Sequence, residues 1–164
     1  MILRVLTGIA AIVLLLYAGP LAFTPLTTAA ALLWVLEKTR FERDLFRYGY
    51  AAGGAYALWA IAGVFLVGPS AADWVIEGVV AAAPLLWLWW KPQSLIAACI
   101  CALIFALELA ITSISLGFAR VGTQAHKVLV LHAALKATVL VSLAAGLIRT
   151  RRSRRRIATQ VGAS

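Results

Sequence analysis

The stretch CALIFALELAITSIS, residues 101–115, holds one carboxylate, Glu108, inside an otherwise uncharged run from Gln93 to Ala119. An ionisable side chain among so many apolar neighbours marks a place where charge is neutralised, exchanged or used. On a helix, Cys101, Glu108, Thr112 and Ser115 fall at steps of seven, four and three, which is one face. A second polar set follows downstream. His132 and Lys136 are four apart, again one helical face, with Thr138 and Ser142 beyond them. Glu77 stands near the start of an earlier apolar segment. An acid facing a base can lock two helices together, hold a proton or small cation, or act as a general acid and base.

Catalytic signatures are otherwise lacking. There is no Gly-x-Ser-x-Gly, no His-Glu-x-x-His, no phosphate-binding loop and no haem-attachment motif. His126 and His132 are six apart and do not share a helix face, so their spacing supports neither a metal site nor a haem, and no cofactor is expected. An intramembrane enzyme pairing Glu108 with His132 is the remaining catalytic alternative.

The elements that must position these residues follow from composition. Of the 164 residues 63% are hydrophobic and 13% charged, with a mean hydropathy of +0.96. Soluble domains are about half apolar and about a quarter charged, so the composition is that of a membrane protein. Six apolar segments can be drawn, over 2–19, 21–36, 48–68, 75–90, 95–118 and 128–148. The expected fold is all-α: a polytopic integral membrane bundle of six short transmembrane helices in one domain, 1–148, with a basic cytoplasmic tail, 149–164. The first segment lacks a clean Ala-x-Ala cleavage site and reads as a retained span rather than a signal peptide.

Residues 5–36 carry no charge. As a single helix they would reach ~48 Å, against a hydrocarbon core of about 30 Å. Gly19, Pro20 and Pro25 break the run, which favours two helices joined by a turn. One long, kinked helix, giving five spans, is the alternative. With six spans, Arg4, the loop EKTRFERDLFR, Lys91 and the terminal arginines share one side. That bias places both termini in the cytoplasm, and the Ala-, Leu- and Arg-rich usage suits a bacterial inner membrane. The aromatic cluster WLWW, with Trp87, Trp89 and Trp90, fits an interfacial belt.

The two halves echo one another weakly. Residues 5–17 align with 75–87, and 30–38 with 101–109, matching Glu37 to Glu108. Three spans per half would make this a 3+3 inverted repeat.

Depth ties the polar residues together. Glu108 lies about ten residues from the outer end of its segment and Lys136 about eight from the outer end of the next, so their levels differ by ~3 Å. Segments joined by a short connection pack antiparallel, which makes Glu108 and Lys136 the expected pair. His132 lies one turn nearer the outside and Glu77 near the outer surface, with Thr112 and Ser115 on the Glu108 face. The expected function is that of a small non-enzymatic inner-membrane protein acting as a subunit or oligomer. Its Glu/Lys pair would pack helices or dock a partner, and Glu108→Gln alone would then destabilise the chain. The alternative is a transporter or channel for a small ion or polar solute, with the pair as its site.

Other features are structural in this reading. Arg149, Arg151, Arg152, Arg154, Arg155 and Arg156 form a terminal run that anchors topology on anionic lipid headgroups, at about 1 kcal/mol per residue, rather than binding nucleic acid. Expected partners are thus the bilayer and either further copies of the chain or a larger membrane complex. Arg40, Arg43 and Arg47 share a helical face that would lie along headgroups or simply end two spans. Gly49-x-x-x-Gly53 allows another helix to approach closely. Cys99 and Cys101, two apart, point to different faces and read as small hydrophobes, not a disulfide.

Overall fold

The computed structural model describes residues 2–38, 46–67, 72–91 and 94–161, with side chains over 8–38, 46–63, 73–91 and 94–148. Six helices account for nearly all of them: α1 (Ile2–Ala18), α2 (Pro20–Glu37), α3 (Phe46–Val67), α4 (Ala72–Trp90), α5 (Leu95–Phe118) and α6 (Gln124–Val161). No strand occurs among the described residues. Three helical stretches are long and apolar enough to cross a membrane: Pro20–Glu37, Leu95–Phe118 and Gln124–Ile148.

Residues 5–36 do form two helices. Gly19 takes φ +60°, a left-handed conformation open to glycine, and Pro20 begins α2 with the fixed φ that suits a first helical position. Pro25 and Pro84 lie within α2 and α4 without ending them. Ser94 caps α5 by accepting from the Ala97 amide at 3.2 Å. Hydropathy ends the last apolar segment at 148, yet the helix continues to Val161. No proline or acid follows Ile148 to stop it, and the arginines that end the apolar run are good helix formers. The boundary read from hydropathy therefore marks a change of composition, not the end of the helix.

The central contact is between α3 and α6, which run antiparallel along their length. Phe46 packs on Gly146, the Gly49 amide donates to Ser142 Oγ at 3.0 Å, Gly53 faces Val139, Tyr56 faces Lys136, and Trp59 faces His132. The close approach predicted from Gly49 and Gly53 is thus satisfied within the chain. A Cβ at Gly53 would lie 2.5 Å from Leu85 and within 3.3 Å of Val139 and Phe105, so α3, α4, α5 and α6 meet there only because the side chain is missing. On this central pair, α2 and α4 pack against α3, while α5 and α1 pack against α6. The core runs through Tyr56, Leu85, Leu88, Phe105, Leu135 and Val139.

α3 is the most enclosed helix, which explains its small and aromatic composition: it is surrounded by protein. The outside is apolar instead. Ile96, Ile100, Leu103, Leu107, Ile111, Ile114 and Phe118 form a continuous exposed stripe on α5, and Ile9, Ile12, Val13 and Leu16 do the same on α1. Apolar outside with charges inside is the reverse of a soluble domain, and the three apolar helices mark a membrane location. Trp87, Trp89 and Trp90 are exposed at the end of α4, beside exposed Lys91. Cys101 is buried, but Cys99 faces outward, as side chains two apart on a helix must.

Glu37 and Glu108 do not occupy matching places. Glu37 ends α2 and lies 3.7 Å from Arg47, whereas Glu108 sits in the middle of α5. Any likeness between the halves lies in their packing, where α2 covers α3 much as α5 covers α6, and not in that alignment.

Candidate ion site

Lys136 is the centre of the polar cluster. It is wholly buried, twelve residues from the start of α6, or ~18 Å along the helix. A lysine ammonium has three protons to place and cannot be left bare in such surroundings. Its Nζ donates to Glu77 Oε1 at 2.6 Å and to Thr112 Oγ1 at 2.9 Å. Glu108 Oε2 lies further off, at 3.6 Å, and the face of Tyr56 is 4.6 Å away. The Thr112 hydroxyl donates to the Glu108 carbonyl at 2.8 Å, which turns its lone pairs toward Lys136.

Four helices supply these groups: α3 (Tyr56), α4 (Glu77), α5 (Glu108, Thr112) and α6 (Lys136). Glu108 approaches Lys136 as the depth argument expected, but the closer partner is Glu77. Matching Cα levels overlooks the length of the lysine side chain, which extends from the first third of α6 to the second turn of α4. The order matters. Glu77 has about a third of its side chain exposed and holds the ammonium tightly. Glu108 is only 9% exposed, and neither of its carboxylate oxygens has a hydrogen-bond partner among the described residues. The cluster therefore contains two carboxylates and one ammonium, with the deeper carboxylate undersupplied.

His132, a turn from Lys136, is held by rings. Its centroid lies 4.9 Å from Trp59, 5.1 Å from Tyr56 and 6.3 Å from Trp74, all edge-to-face. It packs among these rings, and neither a hydrogen bond nor an ion pair joins it to Glu108 among the described residues. Ser115 is half-exposed and stands apart from the cluster, since α5 has only three residues left beyond it and the buried face ends at Thr112. The Tyr56 hydroxyl lies beside the Glu77 carboxylate, short of hydrogen-bond geometry. Tyr56, Trp59 and Trp74 were not singled out from sequence. The available signal was the placement of Tyr56 and Trp59 three apart, directly after the small-residue run 51–55 of α3.

No three His, Cys, Asp or Glu side chains gather into a metal-binding group among the described residues. His126 serves elsewhere, hydrogen-bonded to the Tyr17 hydroxyl at 2.7 Å, and so joins the end of α1 to the start of α6. The side chains of Arg149, Arg151, Arg152, Arg154, Arg155 and Arg156 lie outside the described residues, as do Arg40 and Arg43. Comparisons with protein-family models, curated proteins and solved structures gave no match, so the chemistry rests on this geometry alone.

Proposed function

We propose that this chain is a non-enzymatic, six-span inner-membrane protein with both ends cytoplasmic, whose Glu77–Lys136–Glu108 cluster is a site for an exchangeable small cation. The observation that carries the reading is one ammonium between two carboxylates, 2.6 Å from one and 3.6 Å from the other. A lone charge at mid-bilayer costs about 2.5–3.5 kcal/mol on insertion scales, so a surplus carboxylate invites a compensating positive charge. In this arrangement Lys136 holds only one of the acids at hydrogen-bonding distance. A proton or small monovalent cation reaching partly exposed Glu77 would release Lys136 toward Glu108, and its departure would draw Lys136 back. Lys136 is then a tethered counter-ion that passes charge between an outer and an inner acid.

The second reading, a helix lock within a membrane subunit or oligomer, is favoured by the tight Lys136–Glu77 pair and by the burial of the cluster. It explains Glu77 directly, whereas Glu108 adds only a 3.6 Å ion pair without a hydrogen bond.

Purified protein reconstituted in vesicles with an entrapped pH dye separates the two. Under an imposed proton or sodium gradient, wild type should dissipate the gradient while folded Glu108→Gln should not. Wild-type vesicles as tight as empty ones, to both ions, would leave the lock as the surviving account.

A further inference from the structure

The oxygens around Lys136 are few and partly in use. Among the described residues they are the carboxylates of Glu77 and Glu108 and the hydroxyls of Thr112 and Tyr56. Glu77 Oε1 and Thr112 Oγ1 already accept from Nζ at 2.6 and 2.9 Å, and the Thr112 hydroxyl proton is committed to the Glu108 carbonyl. Hard metal cations collect about six oxygen ligands or more. To reach both acids here, a metal ion would also have to sit against the lysine ammonium, which lies 2.6 Å from one and 3.6 Å from the other. Like charges that close repel strongly in a buried site.

A proton needs neither a cage of oxygens nor a place beside the ammonium. It takes one lone pair, and an O–H bond on either carboxylate brings two acids and one ammonium to zero net charge. The structure provides for it at both acids. Glu108 is buried, and its two carboxylate oxygens have no hydrogen-bond partner among the described residues, so their lone pairs are open. Tyr56 is wholly buried, with its hydroxyl unpartnered beside the Glu77 carboxylate. That hydroxyl can accept the O–H of a protonated Glu77 once Lys136 has moved to Glu108.

The other titratable groups nearby do not compete. Cys101 lies two turns from Glu108 on α5, and His132 of α6 packs among rings with no ion pair to either acid among the described residues. Partly exposed Glu77 is the way in. On the other side of α6, an apolar cleft of about 410 Å³ between α1, α2, α3 and α6 is lined by none of these groups and gives an ion no polar route to them.

We infer, on the exchangeable-cation reading above, that the cation is a proton, carried by whichever of Glu77 and Glu108 is not holding Lys136, with Tyr56 as a positioning residue for Glu77. The proton comes from the aqueous phase, forms an O–H bond on a carboxylate lone pair, and returns to water when that bond breaks.

Vesicles of phosphatidylcholine and phosphatidylglycerol test this, with an entrapped pH dye and an inside-negative potassium potential set by valinomycin. In sodium-free choline medium, wild type should acidify the lumen. Replacing choline with sodium should leave the rate unchanged, and radioactive sodium uptake should equal that of empty vesicles. Glu108→Gln, folded by circular dichroism, should fall to the empty-vesicle rate. Tyr56→Phe should slow acidification about fivefold, the worth of ~1 kcal/mol for one hydrogen bond. Infrared difference spectra of wild type should show a carboxylic-acid C=O band that grows as pH is lowered and shrinks in Glu108→Gln. Sodium uptake above the empty-vesicle level, with or without acidification, would overturn the proton and leave an exchangeable-cation site standing. Vesicles tight to both ions would overturn the two together. An infrared band untouched by Glu108→Gln would overturn Glu108 as a carrier, and an unchanged rate in Tyr56→Phe would overturn the role of Tyr56.

Discussion

The two sides of α6 solve opposite problems. Lys136 turns into the polar cluster, where α3, α4 and α5 close around it and Gly53 lets side chains from three helices meet. Ala134 and Thr138, two residues away in each direction and so on the other face, border the open cleft under α1 and α2. The charged side is dense and the apolar side is loose. Inside a bilayer, charge must be surrounded by partners because neither lipid nor an empty space can solvate it. A gap lined by alanine costs little by comparison, because a lipid tail can fill it as well as a leucine could.

The largest way to break this comparison is to remove the charge at its centre. Lys136→Met leaves buried Glu108 and partly exposed Glu77 without a counter-ion, and removing one member of a buried charged group costs about 3–5 kcal/mol. The thermal midpoint in detergent should fall on the order of 10 °C. Adding Glu77→Gln should restore much of the loss. If Lys136→Met melted like wild type, the dense side would owe its order to packing alone.

A smaller effect is expected where the dense side has no spare room. Gly53→Ala places a methyl group against Leu85 and Val139, and overpacking of this kind costs about 1–3 kcal/mol. The loss should appear in thermal stability, and Leu85→Ala in the same chain should recover part of it by vacating the contact. An unchanged midpoint in Gly53→Ala would mean that the junction yields, and that the difference between the sides is not one of packing density.

Much of this was legible in the sequence, for reasons that can be stated. Gly19-Pro20 reads as a break because glycine and proline dictate backbone angles whatever surrounds them. The bounds of α5, 95–118, coincide with its apolar run, and the buried face through Cys101, Glu108 and Thr112 follows from helical spacing. The partner of Lys136 was harder to read. Glu77 lies 59 residues away on a helix that is not its chain neighbour, and depth arguments serve sequence-adjacent helices best. His132 could be placed beside Lys136 by its spacing, but its aromatic surroundings depend on how α3 and α4 meet α6. The cleft was invisible, because an alanine beside empty space and an alanine in a packed core look alike in one dimension.

The loose side should respond in the opposite direction. Gly8 lies within α1, and glycine inside a helix costs about 0.5–1 kcal/mol relative to alanine. With nothing near its Cβ position, Gly8→Ala should raise the midpoint slightly where Gly53→Ala lowers it. Two identical substitutions of opposite sign would be a direct reading of the difference in packing. A fall in both would place α1 against the bundle more tightly than the cleft allows.

The smallest change in stability belongs to Glu108→Gln, and it distinguishes the two acids most sharply. On sequence alone, Glu108 was the expected partner of Lys136, and neutralising it should have destabilised the chain. The geometry keeps that pair but makes it the weaker one: Lys136 has hydrogen bonds to Glu77 and Thr112, whereas Glu108 holds it only through a 3.6 Å ion pair without a hydrogen bond. The substitution also removes the surplus negative charge, so the midpoint should stay within about 0.5 kcal/mol of wild type. Glu77→Gln should cost more, about 1–3 kcal/mol, because Lys136 must give up its 2.6 Å contact and move to an acid now 3.6 Å away. Equal losses from the two substitutions would mean that Lys136 is shared evenly, and a helix lock would then need both acids. A loss from Glu77→Gln alone would leave Glu108 as a carboxylate kept in the bundle for something other than holding it together.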